Sequence, residues 1–327
     1  MRGKIWLERL KFGAKLLLVG GLLYFLATKG VIDLRATALA FSRWELVAPG
    51  MGLLLVATLL GFVRWRWLLA AQGVEIPSLR ALELTLVGNF FNIALPGAVS
   101  GDLVKAVYVA RESEGKRSSA LGSILFDRVA GLSALSLLAA VALLVGWNEL
   151  DGGGFLPAVR LFVLLPGAAF LVFYAYLFSV GERWDPLLAL LRRVEGRFSF
   201  VGSFTRIYES LRRYHHHRWT VVRAVALSIL IHVCVCCAMA LFLGALGEGG
   251  APLSGIFVSV PIGLLATAVP LAPAGIGTGH AAFGWLFRFL GTERGADVFS
   301  LFALLQLCVG GVGGLVYLRF RARVRAR

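Results

Sequence analysis

Six apolar runs of about 17 to 28 residues, parted by short polar or basic segments, leave this chain few folds to choose from. About 20 apolar residues make a helix long enough to cross a hydrocarbon core, where every backbone N–H and C=O must be satisfied within the segment. The runs predict spans over 12–28, 47–69, 120–146, 157–180, 219–246 and 298–318. Hydrophobic residues make up 58% of 327 and the mean hydropathy is +0.81, above the range of soluble domains. The predicted class is an all-α polytopic membrane protein forming one transmembrane domain over 1–327.

The net charge of +15 would suit a nucleic-acid binder, but the basic residues lie between the apolar runs and instead mark orientation. Segments 1–15, 64–80, 105–117, 182–218 and 319–327 hold 25 of the 33 Lys and Arg, while 29–45, 147–157, 247–253 and 288–297 hold five. The first set is predicted to be cytoplasmic, with both termini on that side and the N-terminal run retained as a span rather than cleaved. Residues 32–44 are too short and mixed to cross, and are predicted to form an interfacial helix. Cys234, Cys236, Cys237 and Cys308 all fall within apolar runs, so neither a disulfide framework nor a metal site is expected, and no cofactor is implied.

Two more apolar stretches cannot be single straight spans. Residues 81–111 break at Leu95-Pro96-Gly97 and restart at Ser100-Gly101-Asp102. Proline removes an amide and clashes with the preceding turn, and glycine eases a sharp bend, so two short helices around a tip are expected. Basic segments flank both sides, which predicts a re-entrant hairpin from the cytoplasmic face; a kinked crossing over Gly88 to Ala110 is the alternative. Residues 253–291 carry Pro261, Pro270, Pro273, Gly275, Gly277 and Gly279 between two weakly charged segments, which predicts a second hairpin from the external face. The layout is inverted-repeat-like. Residues 182–218 are predicted to be a cytoplasmic amphipathic arm on anionic headgroups, with Phe198, Phe200 and Phe204 dipping in.

Polar groups at membrane depth need a partner or a watery cavity, so those near the breaks are candidate binding residues. On the first hairpin they are Asn89, Asn92, Ser100, Gly101, Asp102 and Lys105; Asp127 and Arg128 open the span that follows; Thr278 and His280 begin the second half of the other hairpin. Lys105, about one turn past Ser100, supplies a full positive charge for an anionic headgroup, and Arg128 at similar depth a second. Each has a plainer alternative: Lys105 and Asp102 neutralising each other as an i,i+3 pair, Ser100 acting only as a cap, Asp127 and Arg128 pairing with the hairpin, and the amides satisfying freed backbone. Pro96, Gly97, Pro270, Pro273, Gly275 and Gly277 are predicted to shape the tips. His215-His216-His217 does not share one helix face, so it is not read as a metal site.

Gly88-Asn89-Phe90-Phe91-Asn92, Leu95-Pro96-Gly97, Gly101-Asp102 with Lys105, Asp127-Arg128 and Pro273-Ala274-Gly275-Ile276-Gly277 together resemble the flippase-like family named after the transmembrane region of lysylphosphatidylglycerol synthase. The resemblance implies a multi-pass protein of a bacterial or archaeal inner membrane that moves lipids between leaflets. Ser100 stands where the family usually has glycine, Lys105 where it often has arginine, and His280 where a glutamate commonly follows the glycine-rich turn. Nothing after the last run corresponds to the soluble aminoacyl-transferase half of full-length synthases, so synthesis of lysyl lipid is not expected.

No phosphate-cradling G-x-x-x-x-G-K-[ST] loop occurs, so the expected activity is ATP-independent flipping of an anionic lipid, either a phospholipid or a polyisoprenyl phosphate. The expected partners are membrane lipids, without nucleic acid. The chain is not expected to be an enzyme. Two alternatives stand beside this: a membrane enzyme acting on a lipid headgroup with Asp102, Asp127 and His280 as its acid and base set, and a transporter of a small soluble anion.

Overall fold

The computed structural model describes residues 34–94, 100–113, 115–145, 156–181, 184–198, 201–268, 275 and 277–325. Among them are twelve α-helices and no strand: α1 (Leu34–Ser42), α2 (Trp44–Ala71), α3 (Ser78–Ala94), α4 (Ser100–Glu112), α5 (Arg117–Val145), α6 (Leu156–Ser179), α7 (Pro186–Glu195), α8 (Val201–Arg212), α9 (Arg218–Ala245), α10 (Leu253–Thr267), α11 (Thr278–Arg288) and α12 (Gly295–Arg325). Helices α2, α5, α6, α9 and α12 are long and apolar enough to cross a membrane, and match five of the six predicted spans. The chain is a multi-pass membrane protein. The first predicted span, residues 1–11, Pro96, Gly97, Phe200, Pro270 and Pro273 lie outside the described residues.

Antiparallel helices α2 and α9 form the spine. A Cβ on Gly50 would overlap the buried ring of Phe242, so glycine lets the two helices close on each other. At one end of this pair the Arg43 guanidinium donates to the Gly244 carbonyl at 3.0 Å. At the other, the Tyr214 hydroxyl donates to the Leu68 carbonyl at 2.9 Å and the Gln72 amide to the Ser210 carbonyl at 2.7 Å. There α2 stops on Gly73 at φ +67, whose amide and that of Val74 cap the last carbonyls. The short helix α1 also joins the core: Ala36 and Ala40 are buried in the same cluster as Leu54 and Phe242.

Helices α3 and α4 form an antiparallel hairpin. Arg80 meets Glu112 at its open end, while near the tip the Ser100 hydroxyl donates to the Phe91 carbonyl at 2.8 Å and the Gly101 amide to Asn92 Oδ1 at 2.9 Å. A Cβ on Gly101 would run into the Gly88 carbonyl oxygen, so the two arms touch backbone to backbone. Helices α10 and α11 form the second hairpin: Gly255 faces Leu290, Gly263 faces Phe283, and Gly275 near the tip faces Thr267. Pro261, expected among the breaks, lies inside α10, and the helix continues through it. At 1.5 Å per residue these four helices are about 16 to 26 Å long, short of the roughly 30 Å of a hydrocarbon core.

The hairpins enter the bundle from opposite ends. Lys116, just beyond α4, donates to the Gly73 carbonyl at 2.6 Å, which puts the open end of the first hairpin beside the end of α2. Helix α10 starts just past the end of α9, which is the Arg43 end of the spine.

Helices α7 and α8 fill the segment predicted as an arm, and they are bolted to the bundle. Asp185 caps α7, accepting from the Leu188 amide at 2.9 Å, with Pro186 at the first helical position. Its carboxylate also accepts from the Tyr176 hydroxyl at 2.7 Å and the Tyr208 hydroxyl at 2.9 Å, and lies 2.9 Å from Arg212 Nε. Burial pushes the Asp185 carboxyl up, but the amide, the two phenols and Arg212 outweigh it and hold it below the ordinary carboxylate range.

Candidate functional site

The inner ends of α3, α4 and α10, together with Gly275, line one cavity of about 460 Å³. Gly88, Asn89, Asn92, Asp102 and Lys105 reach it from the first hairpin, and Leu264, Thr267, Ala268 and Gly275 from the second. The long helices close it with Arg64 of α2, Asp127 and Arg128 of α5, His232 of α9 and Gln306 of α12.

Its walls are charged at one end and apolar at the other. Arg64, Lys105, Arg128, Asp102 and Asp127 cluster toward the end of α2, whereas Leu54, Ala57, Leu132, Leu135, Ile231 and Val235, with uncharged polar groups such as Thr58 and Gln306 among them, line much of the remainder. Arg64 and Leu54 are ten residues apart on one helix, so the two ends are separated by about 15 Å. Three cations against two carboxylates leave one positive charge in excess.

The three cations are held differently. Arg64 grips Asp127 through both oxygens, Nε to Oδ1 at 2.8 Å and Nη2 to Oδ2 at 3.1 Å, and its Nη1 donates to Ser228 Oγ at 2.8 Å. With three hydrogen bonds from one guanidinium, this pair is a brace between α2, α5 and α9. Arg128 pairs with Asp102 across α5 and α4, and its side chain is 41% exposed against 12% for Arg64. Lys105 is buried at 5% exposure, with its ammonium 3.4 Å from the centroid of the Trp65 ring. Trp65 is held in turn by its indole N–H on Ser123 Oγ at 3.3 Å. Among the described residues Lys105 makes no hydrogen bond or salt bridge to a carboxylate or carbonyl; its ammonium rests on a π face, worth about 2 kcal/mol when desolvated, and feels Asp127 and Asp102 only at longer range. Asn89 and Gln306, also on the wall, make no hydrogen bond within the described residues.

This ordered set of hairpins, tips and charged pairs extends over most of the chain, and so does its likeness to a known family. The family model described as lysylphosphatidylglycerol synthase TM region matches residues 13–296. The chain belongs to this family. No curated protein and no solved structure matches it. In this lysylphosphatidylglycerol synthase TM region protein the matched range contains both hairpins and ends just inside α12, so Gln306 lies beyond it.

Of the candidates read from the sequence, the fold gathers Asn89, Asn92, Asp102, Lys105, Asp127, Arg128 and Gly275 on the cavity wall. Ser100, Gly101 and Asn92 tie the two arms of the first hairpin together, and the Gly101 amide is taken up by Asn92. Thr278 and His280 do not line the cavity. Thr278 donates to the Gly275 carbonyl at 3.0 Å, while His280 accepts from the Gly277 amide at 3.3 Å and donates to Ser300 Oγ at 3.0 Å, so its ring caps the start of α11 and ties it to α12. Gly277 holds φ +92 there, a conformation glycine adopts freely. Arg64, Trp65, Ser228, His232 and Gln306 are absent from the sequence candidates. An arginine inside an apolar run was the available signal for Arg64, which reads from sequence as a headgroup-level flank.

Proposed function

We propose that this family member moves an anionic lipid between the leaflets of the cytoplasmic membrane without ATP, through the cavity on which the two hairpins converge. The observation that carries the reading is the division of the cavity into a cationic end and an apolar end. A small soluble anion has no use for the apolar end, whereas an amphiphile presents both chemistries in one molecule. Crossing a hydrocarbon core strips water from a headgroup, and Lys105, Arg128, Asn89 and Gln306 offer replacement contacts at depth. Lys105 is the first contact for the headgroup phosphate, because its ammonium gains a counter-ion without breaking an ion pair. Arg128 is the second, exchanging Asp102 for phosphate.

The hairpins act as re-entrant elements, the first from the cytoplasmic face and the second from the external face, in keeping with basic segments beside the first and their scarcity beside the second. On the same count both termini are cytoplasmic. The protein works as a carrier rather than an enzyme: Asp127 is held by Arg64, and His280 is bonded to Gly277 and Ser300 away from the cavity, so two of the three acid and base candidates are engaged elsewhere.

The test is translocation of fluorescent lipids in reconstituted vesicles, comparing phosphatidylglycerol, an isoprenyl phosphate and phosphatidylcholine. Acceleration of an anionic lipid that Lys105→Ala and Arg128→Ala both reduce supports the reading. Acceleration of none of them over protein-free vesicles, with uptake of inorganic phosphate in its place, rejects it.

A further inference from the structure

The end of the bundle where α2 finishes carries a surface that the cavity does not use. Helices α7 and α8 turn one side inward: Leu188 is buried, Ser210 fits against Gly122 of α5, and the Asp185 knot locks their join to α6. The other side faces outward with large apolar groups. Trp184 is 85% exposed, Phe204 62%, Leu190 57% and Phe198 50%.

Exposed guanidinium groups stand among these rings, from Arg192, Arg193, Arg197 and Arg206. On α7, Leu187, Leu190 and Arg193 follow at three-residue spacing, so an apolar stripe gives way to a cation one turn on. Negative charge is scarcer than positive: Asp185 is buried and Glu209 is taken by Arg192 at 2.9 Å, which leaves Glu195 beside Arg193, Arg197 and Arg206. Trp219 at the start of α9 and Trp67 near the end of α2 are exposed at this same end of the bundle. Tryptophan, aliphatic groups and arginine on one outward surface match the chemistry of the headgroup layer, where rings sit among glycerol and upper acyl carbons and guanidinium groups meet phosphate.

We propose that the α7–α8 unit is a fixed platform for the anionic leaflet, with Trp184, Leu190, Phe198 and Phe204 seated in the upper acyl layer and Arg192, Arg193, Arg197 and Arg206 holding lipid phosphates. The occupant is an anionic bilayer surface rather than a protein, because the cations outnumber the free carboxylates and the rings lie beside spans that themselves sit in lipid. The platform needs no folding on contact, since the knot and the seat on α5 hold it in place beforehand. It stands on observations independent of the cavity.

The test uses the full chain in bilayers containing brominated phosphatidylglycerol or, separately, brominated phosphatidylcholine at equal mole fraction. The chain has eight tryptophans, so the contribution of Trp184 is taken as the difference between wild type and Trp184→Phe. The anionic lipid is expected to quench that contribution about fivefold more effectively than the zwitterionic one, the size expected for even one basic residue near the surface. The preference is expected to shrink in about 0.5 M NaCl, where screening is short-ranged, and to approach parity in Arg192→Gln/Arg193→Gln/Arg197→Gln/Arg206→Gln. Equal quenching by both lipids in the wild type overturns the anionic assignment, and the salt series decides this even where the fourfold variant does not fold. Absence of quenching by either lipid puts the surface against water or a protein, and overturns the platform altogether.

Discussion

The two hairpins share an outline and differ in chemistry. Each is a pair of short helices closed by a glycine contact, and each brings its tip to the same cavity. The first delivers Asn89, Asp102 and Lys105 to the wall, whereas the second delivers Leu264, Thr267, Ala268 and Gly275 and turns its histidine away to cap α11. Resemblance of shape therefore does not bring resemblance of role. The first hairpin carries charge and is held by ion pairs; the second is an apolar wall held by packing of Phe283 and Phe299.

The same contrast appears in the contacts that close each hairpin, and it sets the largest expected effect. At Gly101 an added methyl meets backbone, the Gly88 carbonyl, which cannot move aside; at Gly263 it meets the Phe283 ring at 2.7 Å, which can tilt. Gly101→Ala is expected to destabilise by about 3 kcal/mol or more and Gly263→Ala by about 1 kcal/mol, judged by thermal unfolding in detergent. Equal losses would mean that the hairpins are closed in equivalent ways.

Next in size is the brace behind the charged hairpin. Arg64→Leu leaves the largely buried Asp127 without its hydrogen-bonded partner and is expected to cost about 3 kcal/mol or more, with Arg64→Leu/Asp127→Leu recovering most of it. A double variant as unstable as the single one would show that packing around Arg64, rather than its charge, holds α2 to α5.

Lys105→Met should separate function from fold. It removes a buried cation that has no carboxylate partner, so the unfolding midpoint is expected to stay within about 4 °C of wild type or to rise, while anionic-lipid translocation falls about tenfold or more. Lys105→Arg should retain part of the activity, since a guanidinium also binds phosphate. Should Lys105→Met unfold the protein instead, the cation on Trp65 belongs to the frame.

The smallest effect is expected on the apolar hairpin. His280→Gln keeps a polar group near Gly277 and Ser300, so it should cost under about 1 kcal/mol and leave translocation unchanged. Translocation lost in His280→Gln at unchanged stability would give the second hairpin a chemical role and dissolve the contrast.

Much of this architecture is legible in the sequence. Hydropathy is a sum over neighbours along the chain, so five of the predicted spans match helices to within a few residues. The breaks at Pro96-Gly97 and Gly275 to Gly277 placed the hairpins, and the polar groups beside the first break were gathered as candidates. Pro261 misled as a breaker because a proline can sit within a packed helix when neighbours compensate for the lost backbone bond. The second hairpin's polar candidates, His280 and Thr278, stand beside a glycine turn, where the Gly277 amide, the Gly275 carbonyl and Ser300 take their hydrogen bonds.

The sequence by itself located the five long apolar helices seen among the described residues, the two interruptions and the distribution of charge between segments, because these depend on residues close together in the chain. Only the tertiary structure decided that Asp127 takes Arg64 rather than a hairpin residue, that Asp102 takes Arg128 rather than Lys105, and that Lys105 rests on Trp65. Those partners come from different helices, brought together by glycine contacts and by the opposed entry of the hairpins. Ion pairing follows distance in space, which local hydropathy does not encode.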